Sequence, residues 1–78
     1  MRYRIMTQSS IYTLDFDAET LTRTPVSGVA LRDDLEPVSV LSMKMLSIGE
    51  PMYAICIDSN GSVFHRTSTP IVSMYRES

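Results

Sequence analysis

Hydrophobic and polar residues alternate with a period of two along much of this 78-residue chain. In residues 2–7, Tyr3 and Ile5 fall on one face and Arg2 and Arg4 on the other. In residues 11–17, Tyr12, Leu14 and Phe16 oppose Thr13, Asp15 and Asp17. Alternation of this kind marks a strand with one buried and one wet face. Asp17-Ala18-Glu19-Thr20 reads as a short hairpin loop whose turn Asp17 caps. Residues 20–24 return as a third strand, which Pro25 stops because proline cannot donate to a ladder.

Residues 25–37 are the least regular part. Ser27-Gly28 marks a turn, Val29-Ala30-Leu31 is a short apolar run, and Arg32-Asp33-Asp34 is a second turn. Between Pro25 and Pro37 there is room for one helical turn and no full helix. Residues 38–46 form the next strand, with Val38 and Val40 on one face and Leu41, Met43 and Met45 on the other. After the break at Ser47-Ile48-Gly49-Glu50-Pro51, residues 52–57 are apolar on both faces, which predicts a central strand covered on each side. Asp58-Ser59-Asn60-Gly61 is the strongest turn signal, since Asn-Gly supplies the positive φ of tight hairpins. Residues 62–67 return, Thr69-Pro70 resets the chain, and residues 71–76 are the last strand.

Three Ala against six Ile, six Val and seven Thr agree with strands rather than helices. The expectation is an all-β single domain over residues 1–78, an antiparallel meander of about six or seven short strands. Closure removes exposed edges, so a small SH3-like barrel is the first choice and an open two-layer β-sandwich the second.

Seven Lys and Arg against nine Asp and Glu give a net charge of −2, which counts against a general polyanion binder. One cysteine excludes an internal disulfide and any Cys-rich metal site. No run approaches the ~18 apolar residues of a spanning helix. The basic start at Arg2 and Arg4 leads straight into Thr7-Gln8-Ser9-Ser10, which is no secretory signal. With a free thiol, the expected location is cytoplasmic.

Tyr3-Arg4-Ile5, Ser10-Ile11-Tyr12-Thr13-Leu14-Asp15 and Thr22-Arg23, together with Arg66-Thr67-Ser68-Thr69-Pro70-Ile71-Val72, resemble a group of small β-rich proteins of actinobacteria and their phages. The likeness covers both ends of the chain and leaves out residues 25–50. It implies a phage or prophage setting and brings no catalytic residue with it.

Candidate chemistry is sparse. Asp15, Asp17 and Glu19 have the spacing that opens a calcium loop, but no Gly follows at its sixth position and no Glu at its twelfth. Asp33, Asp34 and Glu36 sit among turn residues, where carboxylates stay wet and their pKa values do not split. Cys56 lies in an apolar strand, and burial raises a thiol pKa, so Cys56 and His65 make no nucleophilic pair. No catalytic residue, cofactor or metal is expected, and the chain reads as no enzyme. The hydroxyls of Thr67, Ser68 and Thr69 serve either local backbone groups or a ligand.

Charge is divided, with +2 over residues 1–13, −5 over residues 14–61 and +1 over residues 62–78. Pairing of the first and last strands would bring Arg2, Arg4 and Arg76 to one side. With Arg66, Thr67, Ser68 and Thr69 they form the candidate contact for a ligand or partner. The function expected is that of a non-enzymatic binding module, in a phage setting one that inhibits a host protein of a defence or regulatory system. Two alternatives stand beside it. One is an oligomer holding a small anionic ligand, such as a nucleotide, between subunits through those donors. The other is a single-stranded nucleic-acid binder using Tyr3, Tyr12 and Tyr75, for which positive charge is short. A chain this small buries only about 60% of its unfolded surface. A homo-oligomer is therefore expected, a dimer first, with Leu41, Met43 and Met45 at its centre.

Overall fold

The period-two pattern is realised in a computed structural model that describes residues 1–26, 35–44 and 46–77. The turns expected at Ser27-Gly28 and Arg32-Asp33-Asp34, the run Val29-Ala30-Leu31 and the interface candidate Met45 lie outside the described residues. Every regular element among the described residues is a strand: β1 (Arg2–Thr7), β2 (Ser10–Asp15), β3 (Thr20–Pro25), β4 (Val38–Met43), β5 (Pro51–Ile57) and β6 (Val63–Arg76). Each pairs antiparallel with the next, and β6 returns to pair with β1. The sheet closes. It is a small all-β barrel, consistent with the SH3-like expectation, and the open sandwich does not describe it.

Alternation decides what fills the barrel. Ile5 from β1, Tyr12 and Leu14 from β2, Leu21 from β3 and Val38 from β4 are buried, with Met52, Ala54 and Cys56 from β5 and Ile71 from β6. Met43, Leu46, Phe64 and Met74 pack against this core from its margins. The methionine thioether is flexible enough to fill such irregular gaps.

Three expectations are corrected. Residues 62–67 and 71–76 are not two strands but the two halves of the 14-residue β6. Its first half pairs with β5 and its second with β1. Pro70 does not interrupt it, because Pro70 stands opposite Pro51, where neither residue has an N–H to place in the ladder. Register shifts on both sides bend the strand around the barrel there.

β4 ends at Met43 and carries a bulge. Val40 pairs with Cys56 and Met43 with Ala54, with a register shift between Val40 and Ser42. The extra residue is Leu41. It reverses the alternation, so Met43 joins Val38 and Val40 on the inner face while Leu41 stays 58% exposed. Leu41 and Met43 therefore do not share a face.

The hairpin loop after β2 is capped by Asp15, not Asp17. The Asp15 carboxylate accepts from the N–H groups of Asp17 (3.0 Å) and Ala18 (3.1 Å), and Glu19 takes a left-handed φ of 55°. Asp17 instead accepts from the Met1 ammonium at 2.5 Å. That ammonium holds the Asp17 carboxyl below its ordinary pKa, first by the hydrogen bond and then by its charge. In the β5–β6 hairpin, buried Asp58 accepts from the N–H groups of Asn60 and Ser62, both at 2.9 Å, and Gly61 has φ +83° as Asn-Gly predicts.

Candidate protein-interaction face

Because Met52, Ala54 and Cys56 point inward, Tyr53, Ile55 and Ile57 point outward, each half-buried. Cross-strand register builds three rows on the outer face of β4, β5 and β6. Ser39, Ile57 and Val63 form one, and Ser42, Ile55 and His65 the second. Lys44, Tyr53 and Thr67 form the third, the Lys44 N–H donating to the Tyr53 carbonyl at 3.0 Å. The rows place Ile55, Ile57 and Val63 side by side, with Val63 58% exposed. The residues expected to be covered on both faces are thus covered on one.

Tyr53 and His65 are diagonal neighbours, within reach across an antiparallel pair. Their rings meet edge to face at 5.5 Å between centroids and 75° between planes. The Tyr53 hydroxyl is hydrogen-bonded to Nδ1 of His65. A phenol anchored in this way presents a rigid, amphipathic surface that loses little entropy on contact. No Asp or Glu stands in the three rows.

A second exposed apolar feature lies where β3 and β4 part. β4 pairs with β3 only at Thr20–Ser39 and Leu21–Val38. Beyond that, a groove lined by Phe16, Val40, Leu41, Met43 and Leu46 opens between β4 and the loop after β2. Asp15 and Glu19 flank it, and Lys44 lies at its far end.

The predicted basic patch does not assemble. β1 and β6 do pair, but Arg76 stands opposite Tyr3, on the face that carries Ile5, whereas Arg2 and Arg4 occupy the other face. Arg4 is committed to Glu77 at 2.5 Å. Arg66 stands opposite inward Ala54, is only 7% exposed, and lays its guanidinium over the Phe64 ring at 5.2 Å. It is no surface donor. Of the three hydroxyls, Ser68 is absorbed locally, accepting from the Met52 N–H at 2.9 Å and donating to the Thr69 carbonyl at 2.6 Å. Thr67 is exposed in the outer face, and Thr69 lies 3.5 Å from the Ser9 hydroxyl.

Cys56 is fully buried, and burial raises its thiol pKa against the opposing pull of Arg66. It is a small core residue, while His65 is exposed on its strand. Among the described residues no cluster of three or more His, Cys, Asp or Glu side chains is placed to hold a metal, and no helix is long and apolar enough to cross a membrane. Sequence reasoning did not single out Tyr53, Ile55, Val63 and Phe16 as apolar residues of the outer surface. The signal for the first two was present in the doubly apolar run of residues 52–57. No family model, curated protein or solved structure matches the chain.

Proposed function

We propose that the chain is a non-enzymatic binding module that presents the outer face of β4, β5 and β6 to another protein. The observation that carries this reading is the contiguous patch of Tyr53, Ile55, Ile57 and Val63, with the Tyr53 hydroxyl fixed by His65. Interface centres are enriched in anchored aromatic and aliphatic side chains and depleted of carboxylates, which is the composition of this face. Its ionisable groups are Tyr53, His65 and Lys44. The partner that fits is a protein surface with an apolar centre and carboxylates at its rim. In the actinobacterial or phage setting that the sequence resembles, the partner is a host protein of a defence or regulatory system, which the module inhibits by covering it.

Stoichiometric co-purification from such a host, reconstituted from the two purified proteins, tests the proposal. Ile55→Glu places a charge in the centre of the patch and is expected to abolish the complex while the variant stays folded. A wild-type chain that retains nothing beyond itself overturns the reading, as does a complex that Ile55→Glu leaves intact.

A further inference from the structure

Among the described residues no strand pairs with β4 on its β3 side beyond Ser39, and this open edge supports an inference separate from the proposed partner. Val40 donates its N–H to the Glu19 carbonyl at 2.8 Å, and β3 contributes no ladder pair to β4 beyond Ser39. The Leu41 bulge falls just beyond the last β3–β4 pair. Because Lys44 directs its N–H to Tyr53 of β5, the backbone N–H and C=O of the preceding Met43 face the opposite, open side. Beside this edge the groove exposes Phe16 by 47% and Leu41 by 58%.

Bulges and lysines often protect a strand edge from pairing. Here the lysine lies at the end of the segment rather than within it, and the bulge pushes a leucine into solvent next to a phenylalanine. Neither arrangement keeps apolar surface away from a partner.

We infer that the occupant of this edge is a second copy of the chain, paired antiparallel through β4 about a twofold axis near Ser42. An antiparallel strand edge is complementary to itself, so one patch serves both protomers. The charges fit the same operation. Glu19 flanks one end of the open segment, and Lys44 lies at the other. The twofold therefore carries Lys44 of each protomer to Glu19 of its partner while Leu41 and Phe16 cover one another. Pairing of this kind makes one continuous sheet of β6, β5 and β4 from both chains. The two outer faces are left open and side by side.

Sedimentation equilibrium at high micromolar concentration is expected to give the mass of two chains. Leu41→Asp is expected to give a folded monomer, because Leu41 is exposed and its loss removes no core contact. Glu19→Lys and Lys44→Glu are each expected to weaken the dimer about tenfold, since symmetry counts the contact twice. The double reversal restores it. A wild-type mass of one chain overturns the inference, as does a dimer indifferent to Leu41→Asp or a double reversal that fails to rescue. Leu41→Asp and Glu19→Lys lie outside the three rows of the outer face, so in these variants loss of the dimer and loss of the proposed partner are separate outcomes. Lys44 belongs to those rows, and its variants are read by dimer mass alone.

Discussion

Strand β5 has an inner face that holds the barrel and an outer face that the barrel does not need, and substitutions on the two faces should separate stability from binding. Met52 is 1% exposed and belongs to the core. Truncating it to alanine removes its packing and leaves a cavity, a loss of about 3 kcal/mol. A 78-residue domain has a total stability on the order of 4–12 kcal/mol, so this is a large share of it. At about 4–8 °C per kcal/mol for a domain of this size, the midpoint should fall by roughly 15 °C. Ile55 lies three residues further on but faces outward and is half-buried, so Ile55→Ala should cost only about 1 kcal/mol. Thermal and urea unfolding followed by circular dichroism measures both, with an unchanged urea slope confirming that the unfolded states are comparable. The reasoning is refuted if the two alanine variants are equally destabilised, or if Ile55→Ala is the worse.

Three further outcomes are expected. Asp58→Ala removes the acceptor of two backbone N–H groups and should cost about 3 kcal/mol, whereas Asp58→Asn keeps an acceptor oxygen and should cost about 1 kcal/mol, measured by urea unfolding. Cys56 should resist a thiol reagent at neutral pH and react only at the rate of barrel opening; with its folded pKa raised, its contribution to stability is full below the ordinary thiol value and is lost as pH rises through the folded one. Acetylating the Met1 amine should return the Asp17 carboxyl toward its ordinary pKa in an NMR titration; in the unmodified chain the lowered value contributes above the ordinary carboxylate pKa and is lost as pH falls through the folded one.

The fold was legible wherever alternation ran unbroken. Tyr3 and Ile5, and Tyr12 and Leu14, declare their inner faces by spacing alone, and Asp58 to Gly61 declares its turn, whereas residues 52–57, apolar at every position, mark a strand without saying which face turns inward. What the spacing hid were single-residue events. One extra residue at Leu41 moves Met43 to the other face, and nothing local to residues 38–46 announces it. Pro70 reads as a stop, yet it is harmless opposite another proline, a fact that depends on a partner 19 positions away in sequence. Arg66 reads as a surface donor because of its charge, while its register against Ala54 turns it inward. The Tyr53–His65 contact requires Tyr53 to pair with Thr67 and Ile55 with His65, and such register is a property of the closed sheet.

Site-specific photo-crosslinking tests the binding proposal most directly, because it reports which face a partner touches. A photoreactive residue is placed at Ile55 or Val63 on the proposed face, and at Thr13 or Thr22, paired outward positions on β2 and β3. The proposal predicts a covalent adduct with the same host protein from Ile55 and Val63 and none from Thr13 or Thr22. Adducts of equal yield from both sets, or from the threonines alone, would contradict it.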